Sequence, residues 1–307
     1  MARQDIILIL GSGRSGSSAL ARVLSLCGCS LPALVFGADE GNRRGFWEPA
    51  VAANHNLDFL QRQGWFAANS IHHPLSKLSC CDNDREEYIA KIREFLATCA
   101  GDAPLIIKEP LIDELTDFWF EAARDTGLSI KIVITIRPPH QVFASGRKFA
   151  SELAWTQHPL ERQSVWWLRT NLLVERQSRN HQRVFVDYIN LMKDWRVEIN
   201  RVSRALSVDL RPDEAAIDRF MSRDLHRQRS SASQNPETFA SSWIQRSYDV
   251  LSKAAQGEPL DLAQLEEISR EFSKSEPAQR ELLAGIDLQP LREYFGRRPV
   301  WRAGVDY

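Results

Sequence analysis

Apolar positions along this chain switch repeatedly between two periodicities. Asp5–Leu10 (DIILIL) is a short, almost unbroken apolar run, the pattern of a strand buried on both faces. Ala19, Leu20, Val23, Leu24 and Leu26 then recur at helical spacing, so the chain turns straight from strand into amphipathic helix. The alternation continues with helices over Val51–Gln63 and Arg85–Ala100, a strand at Pro104–Lys108, a helix at Ile112–Asp125 and a strand at Lys131–Ile136. Arg137-Pro138-Pro139 stops that strand, because proline offers no ladder donor. His140–Phe149 and Pro159–Arg179 read as helices, Arg183–Asp187 as the last parallel strand, and a helix follows through Leu206. Gly28–Pro49 reads as a surface connection, and the chain beyond Pro212 as helices without a strand pattern, two of them within Asp261–Glu293. Strands alternating with helices predict an α/β fold. The expected form is a P-loop-like three-layer α/β/α domain with a short central parallel sheet. Residues 1–210 would form its core, and a helical C-terminal portion, 211–307, would pack on it in the same single domain.

Between the first strand and helix lies GSGRSGSS, residues 11–18. Gly11, Gly13 and Gly16 let the backbone take positive φ and bring N–H groups close to a ligand. Ser15, Ser17 and Ser18 add hydroxyls where the first helical N–H groups lack partners. The helix dipole gives an exposed anion only ~0.3–1 kcal/mol, so hydrogen bonds and Arg14 must supply most of the binding. This is an anion cradle. Gly11 and Gly16 have the spacing of a Walker A loop, but Ser17 stands where its lysine belongs. A nucleotide triphosphatase also needs a strand ending in a carboxylate to hold Mg²⁺, and Lys131–Ile136 ends in Arg137. The loop reads as a site for an anion without a metal.

Composition narrows this further. With 307 residues, 43% hydrophobic and 26% charged, the chain can bury one large core. A formal net charge of −1 gives no global attraction to nucleic acid or membrane, so basic sites must be local. Five cysteines do not pair evenly, and neither a disulfide framework nor a zinc spacing emerges. No apolar stretch is long enough for a signal or a membrane span. The expectation is a reducing, cytoplasmic enzyme.

Gly11–Ser18 resembles the 5′-phosphosulfate loop of sulfotransferases that use 3′-phosphoadenosine 5′-phosphosulfate (PAPS). So does an arginine ending a strand with a serine eight residues later, here Arg137 and Ser145. The segment from Gly45 to Glu48 (GFWE) is similar to one in the bacterial, carbohydrate-type branch. The resemblance implies sulfuryl transfer from PAPS to an acceptor hydroxyl, leaving 3′-phosphoadenosine 5′-phosphate (PAP). It implies Gly13, Arg14, Ser15, Gly16, Ser17, Ser18, Arg137, Ser145 and Tyr188 as donor-binding residues. Arg14 and Lys108, in the K-E-P piece, would stabilise charge, and Glu48 would be the base. Glu109, Glu40 and His55 are its competitors. Asn190 replaces an acid of the family, and the R-K-G-x-x-G element of its cytosolic branch is missing.

Trp47 either anchors its loop to the core or lines an acceptor pocket, and His55 and Glu109 are further acceptor candidates. Trp65 and the loop holding His72 and His73 would suit a glycan or glycolipid hydroxyl. A natural-product alcohol fits nearly as well. The basic run Arg223–Arg229 would either close over the nucleotide or form a solvated face. Trp166-Trp167 reads as core. The rival readings are a P-loop kinase using ATP and a nucleotide-binding module without catalysis.

Overall fold

The computed structural model describes residues 3–64, 80–152, 160–221, 237–238, 240–283, 293–294 and 296–303. In chain order its elements are β1 (Asp5–Leu10), α1 (Ser17–Leu26), β2 (Leu34–Phe36), α2 (Ala50–Arg62), α3 (Asp82–Thr98) and β3 (Leu105–Ile107). Next come α4 (Ile112–Asp125), β4 (Ser129–Ile136), α5 (Pro139–Glu152), α6 (Leu160–Gln177), β5 (Gln182–Asp187), α7 (Tyr188–Lys193) and α8 (Trp195–Leu206). The chain continues as α9 (Glu214–Phe220), α10 (Ser241–Ala255), α11 (Leu262–Lys274), α12 (Glu276–Leu283) and β6 (Val300–Arg302). No described helix is long and apolar enough to cross a membrane.

Strands β3, β1, β4 and β5 pair in that order, all parallel. This is the expected α/β/α arrangement around a short parallel sheet. β1 lies inside the sheet, with Ile7 level with Ile106 on one flank and Lys131 on the other. Its continuous apolar run is explained by cover on both faces. Ile6, Leu8 and Leu10 pack with side chains of α3, α4 and α6, while Ile7 and Ile9 pack with Leu20, Val23 and Leu24 of α1 and with α8. Each such side chain contributes about 1.5–3 kcal/mol on full burial.

The chain goes from β1 out to β3, then crosses to β4 on the other flank of β1. Helix α1 packs on one face, whereas α5, which follows β4, joins α6 on the opposite face. Neighbouring strands whose exits diverge leave a crevice at their carboxyl ends. That crevice positions the site.

Two readings need correction. The connection Gly28–Pro49 contains β2, and the C-terminal portion contains β6, which pairs antiparallel with it, Leu34 opposite Arg302. Three-residue strands are too short to show alternation, and each exists only because its partner comes from the other end of the chain. The helix expected through Leu206 is α8, set off from the Tyr188–Leu191 piece, which forms the short α7. Asp194 separates the two and caps α8, accepting from the N–H groups of Arg196 at 3.0 Å and Val197 at 3.2 Å.

Candidate active site

The turn from β1 into α1 owes its path to two glycines. Gly11 has φ 124°, and a Cβ there would lie 2.4 Å from the carbonyl oxygen of Thr135 on β4. Gly16 has φ 90°, and a Cβ there would lie 2.2 Å from the Tyr188 ring. Between them Arg14 takes φ 69°, a conformation costing a residue with a Cβ on the order of 1–3 kcal/mol. The strained backbone is held by its own side chain. Arg14 Nε donates to Ser145 Oγ at 3.0 Å, Nη2 to the Gly41 carbonyl at 3.1 Å, and the guanidinium lies 5.1 Å from the Phe149 ring centre. Ser12 and Ser15 share a hydroxyl–hydroxyl bond of 2.8 Å.

Arg137, at the end of β4, reaches the same loop. Its Nη1 donates to the Arg14 carbonyl at 3.2 Å, Nε to Gln141 Oε1 at 3.1 Å, and its guanidinium lies over the Tyr188 ring at 4.4 Å. Burial, with the like charge of Arg14 adding to it, pushes the Arg137 pKa down. Two guanidinium groups are therefore held in one partly dehydrated cluster, an arrangement that an incoming anion relieves.

On the β3 side the charges are paired. Lys108 Nζ donates to Glu48 Oε1 at 2.6 Å and to Ser18 Oγ at 3.2 Å. The other oxygen, Glu48 Oε2, accepts from Arg298. The three side chains are 5%, 2% and 3% exposed, so this triad is buried. Burial pushes the Glu48 carboxyl up, but Lys108 and Arg298 outweigh it and hold it below the usual carboxylate range. Glu109 behaves oppositely. Burial, then the charge of Glu48, pushes it up to about 7. It accepts from Asn56 Nδ2 at 2.5 Å and from the Leu111 N–H at 3.1 Å, and Asn56 in turn accepts from Tyr88 Oη at 2.6 Å. Of two neighbouring acids, one stays ionised and the other holds a proton near neutrality.

These groups border one cavity of about 350 Å³. Gly13, Arg14, Gly16, Ser17, Ser18, Glu48, Lys108, Arg137, Ser145 and Tyr188 all line it. A Cβ on Gly13 would meet nothing within 4 Å, so the backbone there is open to a ligand. Ser15 is buried behind the loop. Trp47 lies off the cavity, held by Arg44 O at 2.9 Å, by Trp301 edge-on at 5.5 Å between ring centres and by Arg22. It anchors its loop. His55 sits half-buried on α2, where burial, then Lys91, pushes its pKa down. It does not border the cavity, nor does Glu109. Trp65, His72, His73 and Arg223–Arg229 lie outside the described residues.

The sequence reading missed other cavity residues. Asp113, in the first turn of α4, accepts the Gly11 N–H on Oδ1 at 3.2 Å. Its signal was present: an acid just beyond a strand's carboxyl end, near the K-E-P piece. Phe149, Trp166, Trp167 and Tyr294 give the cavity aromatic walls. Trp167 is also 1% exposed, so the core reading was half of its role. Arg298 had no local signal at all.

No family model matches this sequence, and no curated protein does. Among solved structures, a sulfotransferase domain from the curacin biosynthetic pathway aligns at 16% identity and TM-score 0.43, over 89% of this chain and 99% of that one. The sulfotransferase domain of the Synechococcus PCC 7002 olefin synthase aligns at 14% identity and TM-score 0.43, over 89% and 96%. A sulfotransferase from Mycobacterium tuberculosis H37Rv aligns at 13% identity and TM-score 0.39, over 89% and 77%. Likeness at this level carries no argument about activity, which must come from the residues themselves.

Proposed function

We propose that this chain transfers a sulfuryl group from PAPS to an acceptor hydroxyl. The observation that carries the reading is the Arg14–Arg137 cluster, two cations brought together with Ser145 at the loop that opens α1. Arg137 is buried and Arg14 half-buried, and two cations gathered beside backbone N–H groups attract an anion. Lys108 and Ser18, hydrogen-bonded to each other, add donors to the same cavity. This donor set fits a ligand with separate 5′ and 3′ anionic groups. The loop N–H groups, Arg14, Ser17, Ser18 and Lys108 would hold the 5′-phosphosulfate. Arg137 and Ser145 would hold the 3′-phosphate, with Tyr188 against the adenosine.

The donor supplies an activated sulfuryl group, and the chain supplies position and charge. Arg14 and Lys108 stabilise the negative charge that gathers on the departing phosphate. Glu48, ionised between Lys108 and Arg298, keeps the Lys108 ammonium fixed at the cavity wall. Phe46, Phe149 and Trp166 offer flat faces beside the Gln163 amide, a combination suited to stacking on a glycan or glycolipid acceptor and bonding its hydroxyls.

Calorimetry with PAP, ADP and ATP, with and without Mg²⁺, tests the donor. Metal-independent PAP binding tighter than ATP binding is expected; preference for Mg·ATP would sink the reading in favour of a kinase. Incubation with PAPS and octyl glucoside, glucosamine or 1-octanol, followed by mass measurement of sulfated product, tests transfer. PAP binding with no PAP formed from PAPS would leave only a nucleotide-binding module.

A further inference from the structure

Three carboxylates border the cavity, Glu48, Asp113 and Glu114, and their bonding differs; Glu114 is paired through Oε1 with Arg169. Glu48 has both oxygens engaged, Oε1 by Lys108 and Oε2 by Arg298. A carboxylate bonded to two cations holds its charge well and takes a proton poorly. Asp113 engages only Oδ1, with the Gly11 N–H at 3.2 Å, and Oδ2 takes no hydrogen bond from a described residue. It stands on α4 immediately beyond the turn that carries Lys108, and it is 4% exposed.

We propose that Asp113, rather than Glu48, is the proton acceptor for the acceptor hydroxyl. The assignment rests on the sulfuryl-transfer reading. In the step, the hydroxyl proton passes to Asp113 Oδ2 as the acceptor oxygen–sulfur bond forms. The sulfur–oxygen bond to the 5′-phosphate breaks, and its electron pair leaves on that phosphate as PAP. Asp113 then releases the proton to water. The bond from Gly11 fixes the carboxyl to the start of the cradle, so base and donor site share one rigid frame.

The surroundings of Asp113 suit the role. Burial pushes its pKa well above the ordinary aspartate value, and the nearby carboxylates Glu114, on its own helix, and Glu109 push the same way. The Gly11 N–H and Lys108 oppose them. A base so tuned has stronger proton affinity than a free aspartate. Glu48, held low, would leave the rate flat across the mildly acidic range.

The test is PAP formation from PAPS with the three alcohols named above, followed against pH in wild type, Asp113→Asn, Asp113→Glu and Glu48→Gln. Asn keeps an oxygen for the Gly11 N–H, so PAP binding by calorimetry should be retained while kcat falls ~10²-fold or more. The wild-type rate should decline as pH is lowered, and that acid limb should vanish in Asp113→Asn. It should persist in Glu48→Gln and, at reduced kcat, in Asp113→Glu. If Asp113→Asn binds PAP and turns over like wild type, or keeps the acid limb, the assignment is overturned while the donor reading stands. If wild type forms no PAP with any alcohol, both fall together.

Discussion

Glu48→Gln preserves the shape of a buried side chain and removes the charge that separates two cations. Lys108 Nζ lies 2.6 Å from Glu48 Oε1, Arg298 bonds the other oxygen, and none of the three side chains is more than 5% exposed. Solvent screening is therefore weak. Removing one partner of a buried ion pair costs about 3–5 kcal/mol, and here two cations lose the same counter-charge. Against a total stability on the order of 5–15 kcal/mol, that loss is large and should lower the urea midpoint plainly at pH 7. A cycle with Lys108→Met isolates the cause. The double variant should be less destabilised than the summed single variants, by about 1–3 kcal/mol. Saturating PAP should restore more stability to Glu48→Gln than to wild type, because the ligand brings the missing negative charge. The pH dependence has a fixed sign. Glu48 is held below its ordinary value, so its contribution is full above pH ~4.5 and is lost only as pH falls through the lower, folded-state value. A Glu48→Gln protein within about 0.5 kcal/mol of wild type, with an additive cycle, would refute the triad as an energetic unit.

Other outcomes follow from single contacts. Arg137→Ala should weaken PAP binding by ~1.5–3 kcal/mol and hardly affect a ligand lacking the 3′-phosphate; equal calorimetric losses for both would make Arg137 structural. Gly16→Ala should destabilise by roughly 2–5 kcal/mol, combining left-handed strain with the clash on Tyr188. Adding Tyr188→Ala should recover the clash part alone, and denaturation of both variants would expose an error if no recovery occurs. Glu109, pushed up from an ordinary 4.5 to about 7, binds its proton more tightly when folded. Stability should therefore fall as pH rises between those values, by an amount on the order of 3 kcal/mol, and level off above them. Unfolding measured from pH 4.5 to 8 should show a flatter curve for Glu109→Gln; identical slopes would remove Glu109 as the source.

The parts of the site legible in the sequence are those whose signal is local. The cradle shows itself where a strand run meets Gly11, Gly13 and Gly16 and then a helical period. Arg137 shows itself because a proline pair ends its strand. Lys108 shows itself because a short apolar run delivers it to the carboxyl edge. What escaped was set by distant partners. Trp47 could be read as an anchor or as a pocket wall until Trp301 was seen to lie against it. Trp167 could be called apolar from its neighbours, but facing both core and cavity depends on how α6 crosses the crevice. That both oxygens of Glu48 meet cations was illegible, because nothing in its own segment announces them, one coming from 250 positions away.

That separation has a consequence for synthesis. Glu48 and Lys108 emerge from a ribosome before Arg298, which follows 250 positions after Glu48, and at ~5–20 residues per second that is a delay of about 12–50 s. Through that interval a nascent chain can fold its sheet and cradle, yet β2 has no β6 to pair with and Glu48 has a single cation. The edge of β2 and an incompletely neutralised carboxylate are then exposed together, inviting association with another strand edge. The anion loop is therefore made long before the arginine that latches its wall, so the nascent chain passes through a stage with an assembled binding loop and an unlatched wall.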